Sequence, residues 1–344
     1  MGRFQLHHKH ATDDPLLVRI IWFHLPKILI VHILLTDDPE EAAAFLRQGE
    51  LVAFPTETVY GLGADAFNPV ALNKIFIAKG RPFDNPLIVH LADITQLHQL
   101  VSSVPDTART LIHHFFPGPL TLILPKRRRV PKTVSAGLST IGVRIPAHPV
   151  ARAFLIACGR PVAAPSANRS GRPSPTTWQA VQADLGGRIA CILRSGQSDF
   201  GLESTVVDCT AGAPVILRAG AVSLEDLRAV VPETILAGVG DDLLHRSPGT
   251  RYRHYAPATT LLLVEHPGSI TPTEKDAYIG LDAPEDESAF GLCFQAPDVV
   301  AYAHALFDFF RRCEASYIET IYCQLVPLEG LGLALNDRLR RAAG

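Results

Sequence analysis

From residue 37 onward the chain alternates short apolar runs with amphipathic stretches. "TDDPEEAAAFLRQGE" predicts a helix: Asp38 caps it, Pro39 sits in the first turn, Glu41 completes a capping box and Gly49 ends it. The apolar run Leu51-Val52-Ala53-Phe54 reads as a strand, and it runs straight into the polar, glycine-rich "PTETVYGLGADAF". A second helix starts at Asn68-Pro69, carries a stripe of Leu72, Ile75 and Phe76, and ends at Lys79-Gly80. The loop "KGRPFDNP" leads into the strand "LIVHL", and a helix around 106–114 precedes the turn and strand of "FFPGPLTLILP". "TIGVRIP", "RPVAAPSAN", "ESTVVD" and "PVILRAG" supply further strands, and Ser223 caps another helix. Periodicity fades between about 232 and 258, where "HRSPGTRYRHYAP" reads as a linker. A second α/β pattern follows: "TTLLLVE", an amphipathic segment over 299–312, a strand over 318–325 and the terminal helix "ALNDRLRRAAG".

Strands and helices alternate, but several connections are short and hairpin-like. This predicts an α/β fold with a twisted mixed open sheet and flanking helices, plus a smaller C-terminal α/β domain. The expected division is an N-terminal extension over 1–26, a large domain over 27–231, a linker or lid over 232–258 and a small domain over 259–344. The first strand is expected to span Lys27 to Leu34. A length of 344 residues suits one large core and a second, smaller one.

The segment "PLLVRIIWFHLPKILIVHILL" is apolar enough to suggest a membrane span, but Arg19, His24, Pro26, Lys27 and His32 interrupt it. A central charge costs roughly 2.5–3.5 kcal/mol on insertion scales, and a proline breaks or kinks the helix. No contact with membrane is therefore expected. Apolar residues make up 47% and charged residues 19% of the chain, so it reads as globular. The formal net charge of −2 excludes a global basic field, so any anion site must be local. Six cysteines lie far apart without a C-x-x-C pair, which excludes a zinc ribbon and suits reduced thiols in a cytoplasmic protein.

Candidate chemistry gathers at strand ends: Thr56, Thr58, Lys79, Arg81, Asn85, His90, Thr140, Arg144, Ser166, Asn168, Ser204, Thr205 and Arg218. Open α/β sheets bind ligands there. The set is rich in cations and hydroxyls and poor in carboxylates, which suits a phosphate-bearing ligand. Singly, each residue has an ordinary structural reading: Lys79 as a charge at a helix C-terminus, His90 as a core histidine, Ser166 and Asn168 as turn residues. Arg144, between apolar strand residues, must be paired if buried. No Walker loop, dinucleotide fingerprint, nucleophile elbow or H-E-x-x-H is present. The basic run Lys126–Arg129 reads as a solvated loop, with RNA contact as its alternative.

"FPTETVYGLGADA", "KGRPFDNPLIVH", "FPGPLTLILP", "TIGVRIPAHP", "PVAAPSANRSG", "ESTVVD" and "ILRAG" closely resemble the YrdC-like family, in this order. "SPGTRYRHYAP" and "GLGLALNDRLRRAA" resemble its longer, two-domain form, the threonylcarbamoyl-AMP synthases. The resemblance runs from about Lys27 to the end. It implies a nucleotidyltransferase that combines L-threonine, bicarbonate and ATP into threonylcarbamoyl-AMP and pyrophosphate. A separate threonylcarbamoyl transferase complex then uses the product to modify tRNA. The family's K-x-R and S-x-N signatures fall on Lys79, Arg81, Ser166 and Asn168, which the resemblance makes catalytic. It implies that Thr58, His90, Arg144, Ala164 and Ser204 line the threonine, with Arg144 as the carboxylate's partner. Arg81, Asn85, Thr140, Ser166, Ser174 and Arg218 would line the ATP, with Tyr255 reaching in from the linker. Mg²⁺ is expected on the phosphates, without protein ligands that the sequence can name. A weak direct contact with tRNA stays open. The alternatives are a non-catalytic RNA-binding module of the same fold and the hydrogenase-maturation carbamoyltransferase. The latter is disfavoured by the absence of paired-cysteine motifs.

Overall fold

Caps and breakers set the helix limits. Helix α1 (Pro39–Arg47) is capped by Asp38, whose carboxylate accepts from the Glu40 amide. Glu41 does not close the expected capping box; its carboxylate accepts from the Thr36 hydroxyl instead, tying α1 to the preceding strand. Helix α2 (Pro69–Lys79) starts at the Asn68 cap and stops at Gly80, which takes a left-handed φ of 62°. The expected Ser223 cap forms with a full capping box to Asp226.

The computed structural model describes residues 33–210, 212–238, 241–248 and 254–344. The N-terminal extension and most of the expected Lys27–Leu34 strand lie outside these residues, as do Arg251 and Arg253 of the linker. The first described strand is later than expected, at β1 (Leu34–Thr36). The described residues form one compact unit.

The strands that follow β1 are β2 (Val52–Phe54), β3 (Gly61–Asp65), β4 (Ile88–His90), β5 (Leu120–Pro125), β6 (Thr140–Arg144) and β7 (Val162–Ala164). Then come β8 (Cys191–Leu193), β9 (Thr205–Asp208), β10 (Val215–Arg218) and β11 (Ile235–Leu236). All eleven form one sheet in the order β1-β8-β2-β3-β7-β4-β6-β5-β9-β10-β11. Parallel pairs such as β4–β6 and β5–β9 alternate with antiparallel ones such as β3–β7 and β5–β6, so the sheet is mixed. The flanking helices are α1, α2, α3 (Asp106–Phe115), α4 (Lys132–Ser135), α5 (Pro149–Cys158), α6 (Trp178–Leu185) and α7 (Leu224–Val230).

The C-terminal part builds a separate parallel sheet from β12 (Thr260–Val264), β13 (Asp276–Gly280), β14 (Leu292–Gln295) and β15 (Thr320–Gln324). Its helices are α8 (Val299–Ala315) and α9 (Gly332–Ala343). One apolar core unites Leu261, Ile279, Phe307, Phe310 and Leu335 of this part with Val59 and Leu202 of the first. The two parts therefore share a core. Among the described residues no helix is long and apolar enough to cross a membrane.

Candidate active site

Two parallel strands set the pocket. Register pairs His90 at the end of β4 with Arg144 at the end of β6, so both side chains leave the sheet at the same level. The pocket wall includes Thr56, Thr58, Arg81, His90, Arg144, Ala164, Ser166, Ser204, Arg218 and Tyr255, ten of the residues singled out from sequence. Thr140 starts β6 on the same face as Arg144 but outside this wall, with Gly142 between them.

One end of the pocket is organised by the "TET" turn. The Thr56 hydroxyl donates to the Val59 carbonyl (2.6 Å) and lies 2.9 Å from the Thr58 hydroxyl. Arg144 donates from Nη1 to Thr58 Oγ1 (2.8 Å) and from Nε to the Gly118 carbonyl (3.1 Å). Its Nη2 lies 2.6 Å from a Glu57 carboxylate oxygen, an ion pair with side chains only 4% and 3% exposed. Sequence reasoning passed over Glu57 and described the set as poor in carboxylates, so this pair corrects it. Burial would raise the Glu57 carboxyl, but the Arg144 guanidinium and the Ala147 amide hold it below its ordinary value. His90 is pushed down to about 3 by burial and by the Arg144 charge, and is neutral at physiological pH. Its Nδ1, Arg144 Nη2 and Glu57 Oε2 are buried without an aligned hydrogen-bond partner among the described residues. Such orphaned groups are costly unless a ligand or water satisfies them.

The other end is cationic. Arg81 donates from Nη2 to the Pro86 carbonyl (2.9 Å) and, more weakly, to that of Asn85. Arg218 follows a register shift in β10 and donates from Nη2 to the Ser204 carbonyl (2.8 Å) and hydroxyl (3.2 Å), and from Nη1 to the Pro248 carbonyl. Such bulges re-aim a side chain. Gly220 lets this segment press on the next strand: a Cβ there would stand 2.3 Å from the Thr205 amide nitrogen. Burial lowers the pKa of Arg218.

Lys79 does not reach the wall. Its Nζ donates to the carbonyls of Ser166 (2.5 Å) and Asn168, which fixes the "SAN" loop from behind. Burial and the nearby Arg81 guanidinium push its pKa down. Asn168 pins the loop further by donating to the Arg169 and Arg172 carbonyls, and accepts from Ser166 Oγ. Asn85 is buried beside Arg81 and outside the wall, and Ser174 donates to Glu203 (2.5 Å).

Tyr255 closes the pocket from the linker. Its φ of 68° is left-handed, an unfavourable backbone for a bulky residue, and it is held by stacking on Phe307 at 5.4 Å. His254 also lines the wall, and burial together with the Arg81 and Lys79 charges pushes it down to about 3. His254, Pro248, Pro165 and Glu203 were missed by sequence reasoning. An acid set directly before Ser204 and after an apolar leucine was the one available signal for Glu203.

A family model described as telomere recombination, for Sua5, YciO and YrdC proteins, matches residues 44–220. A second, described as the threonylcarbamoyl-AMP synthase C-terminal domain, matches residues 222–344. A threonylcarbamoyl-AMP synthase of Pyrococcus abyssi is 42% identical over 316 residues, spanning 88% of this chain and 93% of its own length. This chain belongs to the threonylcarbamoyl-AMP synthase family. A second synthase, from Bacillus subtilis, is 42% identical over 332 residues, 90% of this chain and 94% of its own. Among solved structures, P. abyssi Sua5 complexed with L-threonine superposes with a TM-score of 0.82 at 41% identity, covering 89% of this chain and 94% of that one. The family is one of enzymes, and its two-part mixed α/β architecture is the one found here.

Proposed function

We propose that the protein is a nucleotidyltransferase that makes threonylcarbamoyl-AMP from L-threonine, bicarbonate and ATP. The observation that carries this reading is the two-ended pocket. Polar atoms without an aligned hydrogen bond cluster around Arg144 and His90, and a cationic end is built from Arg81 and Arg218. A zwitterionic amino acid suits the first and a triphosphate the second. The buried Arg144 charge beside Thr58 suits the carboxylate, while neutral His90 offers a hydrogen bond without adding charge.

The threonine amine adds to bicarbonate and loses water to give a carbamate. A carbamate oxygen then attacks the α-phosphorus, and pyrophosphate leaves with the electron pair of the broken P–O bond. No protein nucleophile is required, so the residues contribute positioning and charge neutralisation. Arg81 and Arg218 face the developing negative charge, and Lys79 holds Ser166 and Asn168 in place. Glu203 in the wall and Glu57 behind it are committed to Arg338 and Arg144. Among the described residues no group of three His, Cys, Asp or Glu side chains forms a metal cage. Mg²⁺ enters in this reading as part of the MgATP substrate. Delivery of the product to a downstream transferase acting on tRNA and a cytoplasmic setting complete the proposal, the latter supported by six unpaired cysteines.

Pyrophosphate release is expected only when ATP, threonine and bicarbonate are present together. Arg81→Ala should slow it roughly ten- to a few-hundredfold, the range for loss of one or two charge-assisted hydrogen bonds. Removing Arg144 alone would strand buried Glu57, so the Glu57→Gln/Arg144→Met pair is the cleaner variant. It should raise the threonine KM far more than the ATP KM. A folded Arg81→Ala protein releasing pyrophosphate at the normal rate would overturn the assignment. Binding of tRNA without turnover would favour the binding-module reading instead.

A further inference from the structure

Arg338 is the largest wholly buried side chain among the described residues, and it belongs to the C-terminal domain. From α9 it crosses to the cationic end of the pocket. Its Nε donates to a Glu203 carboxylate oxygen at 2.7 Å, and its Nη2 to the Ala219 carbonyl at 2.9 Å. Asp337 on its own helix accepts from Nη1 at 2.6 Å. Its guanidinium carbon lies 5.2 Å from the centre of the Tyr255 ring, within cation–π range. Glu203 and Tyr255 both line the pocket, next to Ser204 and Arg218.

The charge arrangement is the informative part. Glu203 is a buried carboxylate in the wall of a cavity that, on the reading above, receives a triphosphate. Ser174 donates one hydrogen bond to its other oxygen, and Arg218 donates to Ser204 and Pro248 rather than to Glu203. Among the described residues Arg338 is the direct ionic partner of Glu203. Without it, Glu203 would keep only the Arg218 charge, which makes no hydrogen bond to it, and a poorly compensated carboxylate would face the polyanion from inside a low-dielectric wall, where repulsion is poorly screened. The same guanidinium backs the ring of Tyr255, whose left-handed backbone needs the surroundings to hold it.

Resting on the proposed function, we propose that Arg338 is a positioning residue of the nucleotide subsite. It neutralises Glu203 and fixes Tyr255, so that the C-terminal domain completes the ATP site rather than only packing beside it. A staple between domains would serve anywhere on their interface; this one is built into the pocket wall.

The test uses the full-length chain as Arg338→Met, Arg338→Lys and the double variant Glu203→Gln/Arg338→Met. Affinity for a non-hydrolysable ATP analogue is measured by calorimetry, beside the ATP and threonine KM values and the melting temperature. Arg338→Met should weaken nucleotide affinity roughly ten- to a hundredfold, the range for a lost charge-assisted contact, with a much smaller change in threonine KM. Arg338→Lys, which keeps the charge, should fall between wild type and Arg338→Met. Removing the stranded carboxylate in the double variant should restore much of the nucleotide affinity. A merely structural staple predicts the reverse: a lower melting temperature, unchanged nucleotide affinity and no rescue. A double variant no better than Arg338→Met overturns the inference. If Arg338→Met does not fold, the lysine and double variants decide, since a double variant below Arg338→Lys in affinity by more than tenfold contradicts neutralisation. A wild-type chain that binds the analogue but never releases pyrophosphate would sink the proposed reaction and leave the Arg338 inference to stand on binding.

Discussion

His90 and His254 share one predicament: each is an imidazole buried beside fixed cations, and each is held down to about 3. An unfolded histidine titrates near 6.5. Between those values the unfolded chain binds protons that the folded chain refuses, so stability is full above about pH 6.5 and falls as the pH drops towards 3. Acidifying from pH 6.5 to pH 5 should cost roughly 1–2 kcal/mol per group by this linkage. Denaturant unfolding across that range is expected to steepen with acid, and His254→Asn should flatten the slope. An unchanged slope would mean that His254 is protonated in the folded chain. The same residues show what a sequence reveals about a site. His90 and Arg144 stand out because polar groups inside apolar strands demand a reason. Glu57 and His254 do not, because they sit in already polar stretches, and their meaning comes from Arg144, 87 positions from Glu57, and Arg81, 173 positions from His254.

At the scale of elements, α8 bears on the first domain in two ways. Arg311 on its inner side donates to both carboxylate oxygens of Asp184 on α6, at 2.9 and 3.1 Å, and Arg172 shares the same carboxylate. The Asp184 side chain is 1% exposed. Removing one partner from a buried pair strands the other and costs about 3–5 kcal/mol, whereas replacing the whole set with apolar groups is often tolerated. Arg311→Met should therefore destabilise markedly, though less than that range because Arg172 remains; Asp184→Leu/Arg311→Met should recover part of the loss. Equal stability of single and double variants would refute a buried ionic contact. Nearby, Gly201 has a φ of 72°, and a Cβ there would stand 2.5 Å from the Ala303 carbonyl oxygen of α8. Helices were legible where a cap and a breaker bracket an apolar stripe, as in α1 and α2. The order of strands was not. Eleven short runs admit many orders, and β8 lies between β1 and β2 only because contacts far apart in sequence favour it.

The whole molecule then asks whether the first domain can work alone. Its main core draws on residues from Leu51 to Val231, and the later edge strand β11 is short and exposed. A chain ending at Val231 should therefore keep its sheet. It would lose more than a neighbour, however. Val59 and Leu202 would be uncovered, Asp184 would lose Arg311, and Glu203 would lose Arg338. The pocket would also lose Pro248, His254 and Tyr255 from its wall. The expected outcome is a folded but less stable chain with unchanged far-ultraviolet dichroism per residue in its α/β sheet and greatly weakened ATP binding. Threonine binding should suffer less, because Thr58, His90 and Arg144 all lie before the cut. Calorimetric titration of both ligands into the cut and intact chains separates the cases. Equal ATP affinity would show that the linker and C-terminal domain are dispensable for the nucleotide. Loss of both ligands together would show that the first domain's strand ends depend on the second domain for their shape, not only for their charge.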